Sequence, residues 1–293
     1  MKAICKRELK ALLGSLRGWG YAAIVLLGAA VSVLLNNVIA GTPRFEVNVY
    51  YIALTMIPAT ALITAGSFQK ENRQNTERLL YSLPLKNKDI VLGKMIALMV
   101  PVGIACAALC VLPLMLTPFC EIALLPAYSS ILALLCIGFA MMAVGLTISA
   151  ASRHWFTAFL GTVGVLAASW GAPYAAEIIG RITTVTLPVM AACMVIAFTA
   201  TYVLTSNATL GIVMAGIVEI PTFLAHLQGT GARLMKAVAG GVRNLSLFEG
   251  LNSFINGMAD ISVLVMYLAV AAMFTFVAVL CVGNRRQAKR RAL

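Results

Sequence analysis

The residues able to do chemistry are few and scattered. Seven cysteines (Cys5, Cys106, Cys110, Cys120, Cys136, Cys193 and Cys281) lie mostly inside apolar runs, where a thiol behaves as a small hydrophobe. Cys106 and Cys110 stand four apart and could share a helix face, but no Cys-x-x-Cys or Cys/His cluster has zinc spacing. His154 and His226 each lack a nearby carboxylate or thiol in sequence, so interfacial placement is the expectation for both. Ser149 and Ser169 read as helix-packing hydroxyls. Glu219 stands in an apolar run, where it could line a path or carry a proton; a neutral acid hydrogen-bonded between helices is the simpler expectation. Gly93-Lys94 is followed by Met95 and lacks the upstream glycine and the Ser/Thr of a phosphate-cradling loop. The expectation is therefore no catalytic residue, no metal and no bound cofactor.

What must hold these residues is a set of membrane helices. Of 293 residues, 61% are hydrophobic and only 11% charged, with a mean hydropathy of +0.95. Soluble domains carry roughly 25% charged residues, so too little polar side chain is present to coat a water-facing surface. The composition excludes a soluble enzyme, a disordered chain and a nucleic-acid-binding domain. The fold class is an all-α integral membrane protein, a polytopic helical bundle.

A spanning helix needs about 20 mostly apolar residues. Spans are expected over 19–40, 50–68, 95–119, 127–150, 155–172, 185–205, 208–224 and 261–282, eight in all, with six crossings as the alternative if the sixth and seventh do not cross. Segments 1–18, 69–94, 151–154, 206–207 and 283–293 hold 17 of the 22 basic residues. Basic residues concentrate on the cytoplasmic side, so both termini are expected there and the number of crossings must be even. The net charge of +12 thus reports orientation rather than a polyanionic partner.

Three stretches stand out. In 1–18, Cys5, Leu9, Leu12, Leu13 and Leu16 share one helical face, and Lys2, Lys6, Lys10 and Arg17 surround the other, as in an interfacial amphipathic helix. The 69–94 loop concentrates nine of the 32 charged residues. It reads as a polar helix from Glu71 to Leu80, a break at Ser82-Leu-Pro84, and a second helix capped by Asp89. Residues 225–259 form the largest outer segment and read as interfacial or partly re-entrant helices. A basic tail follows at 283–293.

The pattern Glu71-x4-Thr76-x2-Leu79-Leu80-x3-Pro84, followed by Asp89-Ile-Val-Leu-Gly-Lys94, resembles the first cytoplasmic loop of ABC transporter permeases of the ABC type 2 class. The resemblance points to permeases related to gliding-motility and nitrous-oxide-accessory exporters. The opening Met1-Lys-Ala-Ile-Cys-Lys-Arg-Glu-Leu-Lys10 is similar to that group, as is Ser246-Leu-Phe-Glu-Gly-Leu-Asn-Ser-Phe-Ile-Asn-Gly257-x2-Asp260 before the last span.

The resemblance implies one transmembrane permease domain over 1–293, the membrane subunit of an ATP-driven exporter in the bacterial plasma membrane. Residues 1–18, with Lys6, Arg7, Glu8 and Lys10, would be the connecting helix. Glu71, Arg73, Thr76, Glu77, Leu79, Leu80, Pro84, Asp89, Gly93 and Lys94 would couple to a cytosolic ATPase subunit, which alone would bind ATP and Mg. Phe254, Asn256, Gly257 and Asp260 would form an outer motif. The partners would be that ATPase, the lipid bilayer and a second permease, identical or related; nucleic acid is not expected. An ion-coupled secondary transporter is the alternative, but that class uses mid-membrane charges and repeated halves, and only Glu219 qualifies. An intramembrane enzyme would need paired catalytic groups, and none stands out.

Overall fold

The computed structural model describes residues 2–73, 87–118, 122–152, 154–181, 239–244 and 246–291, and all regular structure among them is helical. The elements are α1 (Lys2–Leu13), α2 (Leu16–Val33) continuing into a π-helical turn (Leu34–Ile39), α3 (Val47–Thr64), α4 (Gly66–Arg73), α5 (Asn87–Leu109), α6 (Val111–Leu116), α7 (Leu124–Ala151), α8 (Trp155–Arg181), α9 (Leu251–Ile255) and α10 (Ile261–Arg291). Six stretches of these are long and apolar enough to cross a membrane: Gly18–Ile39, Val47–Gln69, Lys88–Leu116, Leu124–Ala151, Trp155–Ile178 and Ile261–Asn284. They match the first five expected spans and the last. The chain is a polytopic helical membrane protein. The expected spans over 185–205 and 208–224, with Glu219, and His226 beyond them, lie outside the described residues.

The chain divides into two compact units, Met1–Ala168 with Gly250–Leu293, and Ser169–Glu249. In the first, α7 is the spine. Its most apolar window is 78% buried, against 17–33% for the windows in α2, α8 and α10. It packs against α3, α5 and α10. Small residues allow this, because helices in lipid associate by close packing rather than by escape from water. A Cβ added to Gly138 would lie 2.7 Å from a Val102 methyl of α5 and 2.8 Å from the Met56 methyl of α3. One added to Gly145 would overlap Thr64 Oγ1. Thr147 adds a polar tie, its hydroxyl 2.8 Å from both the Ala143 carbonyl and the Phe274 carbonyl of α10. α2 and α10 leave Leu27, Val31, Leu268 and Phe276 exposed, which suits hydrocarbon.

In the second unit, Trp170 and Tyr174 of α8 are in ring contact, the Leu247 amide donates to Ser169 Oγ at 2.9 Å, and Arg243 pairs with Glu249. A short helix covers 239–244.

Several boundaries differ from expectation. The amphipathic helix ends at Leu13, not at residue 18. Leu16 and Arg17 already belong to α2. The corner is tight: Trp19 Nε1 donates to the Leu13 carbonyl at 2.9 Å, and a Cβ on Gly18 would lie 2.5 Å from the Leu12 carbonyl oxygen. The third span continues through Pro101 but is interrupted at Cys110, ahead of Pro113. Asp89 is not a cap, because α5 begins at Asn87 and places it in the first turn, where an acid suits the helix dipole. The polar helix expected from Glu71 instead starts at Gly66.

The α3–α7 contact is testable. Thr64 is fully buried, its χ1 is stiff, and its hydroxyl donates to the Thr60 carbonyl at 2.7 Å, so it has little freedom to yield. Gly145→Ala should destabilise the purified protein by about 1–3 kcal/mol through overpacking. Gly103→Ala, whose added methyl meets nothing within 4 Å, should be neutral or stabilising. Thermal denaturation in detergent compares the two directly.

Candidate functional site

Lys94 lies on the buried face of α5, after the buried Ile90 and Val91, and is only 2% exposed. A buried ammonium is tolerable only when paired and hydrogen-bonded. Its Nζ lies 3.3 Å from Glu8 Oε1 of α1 and donates to the Ser67 carbonyl of α4 at 2.7 Å. It also lies 5.0 Å above the centre of the Phe68 ring, within cation–π range. One side chain thus ties three helices together: α1, α4 on the entering leg of the 69–94 loop, and α5 on the leaving leg.

Glu8 completes the lock. Burial pushes its carboxyl pKa up, but the charges of Lys94 and Arg7 outweigh burial, and the net direction is below the ordinary value of 4.5. The Arg7 pair, at 2.8 Å, joins neighbours in sequence on an exposed surface and contributes little by itself. Lys6 and Lys10 are exposed on the same helix.

The entering leg is pinned a second time. Gln69 is 8% exposed, and its Nε2 donates to the Ser149 and Ser152 carbonyls at 2.9 and 3.0 Å. Ser149 Oγ donates back to Gln69 Oε1 at 2.9 Å. The last carbonyls of a helix have no partner within it, and here a side-chain amide from α4 satisfies two at the end of α7. The base of the loop is therefore clamped to the spine at residue 69 and to α1 at residue 94.

The remaining expected site residues fall as follows. Glu71 and Arg73 lie in α4, while Thr76, Glu77, Leu79, Leu80 and Pro84 lie outside the described residues. Gly93 is buried beside Lys94. In the outer motif, Phe254 is 1% exposed on α9, Asn256 ends that helix, and Gly257 turns the chain with φ +78. Asp260 Oδ1 accepts from the Ser262 amide at 2.9 Å and so caps α10. These four form a corner between helices. His154 is exposed, and its carbonyl accepts from Ala158 at the start of α8.

A family model described as "ABC-2 family transporter protein" matches residues 22–168, just over half of the chain. The chain belongs to the ABC-2 transporter family. Neither a curated protein nor a solved structure shows a significant match. The matched region of this ABC-2 permease contains both pinned legs of the loop, Gln69 and Lys94, whereas Glu8 precedes it.

Sequence reasoning named Glu8 and Lys94 separately and did not pair them. The signal was present: Glu8 is the one acid in residues 1–18, and Lys94 is embedded in Ile-Val-Leu-Gly-Lys-Met-Ile-Ala-Leu. A lone cation at the start of an apolar run requires a partner. Gln69 and Ser67 carried no signal, since an amide and a backbone carbonyl become a site only when helices meet.

Two outcomes are expected. Glu8→Gln should weaken docking of α1 by about 1–3 kcal/mol. Hydrogen exchange of α1 amides measures this, and a double-mutant cycle with Lys94→Met should show a coupling of at least about 0.5 kcal/mol. The lock should also fade in acid. With the Glu8 carboxyl held below its ordinary 4.5, its contribution is complete above that value and is lost as the pH falls through the depressed value. Exchange protection of α1 should follow that direction in the native protein and lose this dependence in Glu8→Gln.

Proposed function

We propose that this ABC-2 permease is the transmembrane subunit of an ATP-driven exporter in the cell membrane. A separate cytosolic ATPase subunit, which would hold ATP and Mg, seats on the 69–94 loop and alongside α1. A second permease, identical or related, completes the pathway. Its loop and its ends resemble the gliding-motility and nitrous-oxide-accessory permeases.

The observation that carries this reading is the double pinning of the loop base. A lever transmits force only if its root is stiff. Displacement of the loop reaches α7 through Gln69 and reaches α1 and α5 through Lys94. Since α7 also contacts α3 and α10, motion of the loop is shared by the helices around the spine. The work comes from the ATPase binding two permease states with different affinity, not from chemistry in this chain.

The test is co-purification with the cognate ATPase and ATP-driven transport in proteoliposomes. Removing residues 74–86 should abolish ATPase binding. The Glu8→Ala/Lys94→Met variant should retain binding but lower the ATP turnover coupled to transport by about tenfold, the equivalent of about 1.4 kcal/mol. Full-rate transport by the permease alone, driven by an ion gradient without any ATPase, would overturn the reading.

A further inference from the structure

At the other end of α3 from the Gln69 clamp lies a partly open cavity of about 300 Å³. It is lined by Pro43, Arg44, Glu46, Ala123, Pro126 and Gly257. Glu46 immediately precedes α3 and is only 3% exposed, yet its carboxylate does not cap the helix. Among the described residues it has neither a hydrogen bond nor an ion pair. Arg44 does not neutralise it: one of its Nη atoms donates to the Ile255 carbonyl at 3.1 Å, and it forms no ion pair with Glu46. The Glu46 carboxylate oxygens reach the open cavity, where a cationic donor would pair with them.

The segment that carries Arg44 and Glu46 is held by a hydrogen-bond network behind the cavity. The π-helical turn places Asn36 and Asn37 against Asn48 of α3. Asn36 Nδ2 donates to Asn48 Oδ1 at 3.0 Å, and Asn48 Nδ2 donates to Asn37 Oδ1 at 2.5 Å. Asn37 Nδ2 also donates to the Thr42 carbonyl at 2.9 Å, and Thr42 Oγ1 donates to the Asn36 carbonyl at 2.6 Å. Gly41, at φ +65, turns the chain into Pro43 and Arg44. The segment bearing Arg44 and Glu46 is thereby held between α2 and α3, and π turns of this kind recur at functional sites.

We propose that this cavity binds a phosphoethanolamine group. The ammonium, with its three N–H donors, would meet Glu46, and the phosphate would meet the donors of Arg44 not engaged by Ile255. The cavity lies where the membrane-length helices α3 and α7 begin, and the paired rings of Tyr50 and Tyr51 follow within the first turn of α3. Such rings mark headgroup depth. The source is therefore either the headgroup of phosphatidylethanolamine or a soluble phosphoethanolamine ester.

The experiment uses the full-length protein in nanodiscs of phosphatidylglycerol doped with equal traces of phosphatidylethanolamine and phosphatidylcholine, with retained lipid read by native mass spectrometry. The native protein should retain phosphatidylethanolamine at least about tenfold over phosphatidylcholine, whose quaternary ammonium has no N–H to donate. Glu46→Gln should erase that preference, and Arg44→Gln should weaken retention of both lipids alike. Titration of glycerophosphoethanolamine into pure phosphatidylglycerol discs separates the sources. Saturable binding assigns a soluble ester as well, and its absence alongside lipid retention assigns the bilayer. Should Glu46→Gln fail to fold, the lipid preference of the native protein decides alone. Equal retention of the two lipids, or an unchanged preference in Glu46→Gln, overturns the proposal.

Discussion

A single ammonium group constrains the end of this protein where α1 meets the base of the 69–94 loop. Lys94 sits too deep to be hydrated, so its charge must be answered by neighbouring groups. The answers come from two places distant in sequence: the Glu8 carboxylate, and the Ser67 carbonyl with the neighbouring Phe68 ring. Satisfying that one charge brings α1 beneath the bundle and draws together the two legs of the 69–94 loop. A lysine at the surface would impose none of this. A fully apolar residue would pack as well, but it would not select which helices meet.

The spine supplies the complementary constraint. α7 accepts neighbours at close range because Gly138 and Gly145 present no side chain where α5 and α3 cross. Its terminal carbonyls, left open by the end of the helix, are closed by Gln69. Packing without polar ties would allow helices to slide in lipid, where no hydrophobic force between them opposes it. Polar ties without close packing would leave voids. In this permease the two occur on the same helix within a few turns: Gly145, Ser149 and the Ser152 carbonyl meet α3 and α4, and Thr147, on the opposite side, ties the helix to α10.

The same helix α3 that leads into the Gln69 clamp begins beside Glu46 and Asn48. Buried polar groups therefore stand at both of its ends, while its middle is packed with Ile52, Ala53 and Met56. A helix of this kind is fixed at each membrane surface by specific hydrogen bonds and between them by shape. Its rotation about its own axis is restricted, because turning would break both sets at once.

Much of the architecture follows from composition and local pattern alone. The apolar runs locate the six described spans, with ends that differ by up to seven residues, because the length of hydrocarbon to be crossed is the same for every helix. The bias of Lys and Arg sets an expected orientation, and the face formed by Cys5, Leu9, Leu12 and Leu13 marks α1 as amphipathic. The loop motif from Glu71 to Lys94 resembles the ABC-2 class in sequence alone. The structure sets where α1 ends, at the tight corner beside Gly18, where α5 begins, and that the third span is interrupted at Cys110. Only the tertiary structure could pair Glu8 with Lys94, bring Gln69 to the end of α7, and leave Glu46 beside a cavity. The physical reason is that hydropathy is a property of each residue, whereas the neutralisation of a buried charge and the closing of a helix end belong to residues that meet only once the chain has folded.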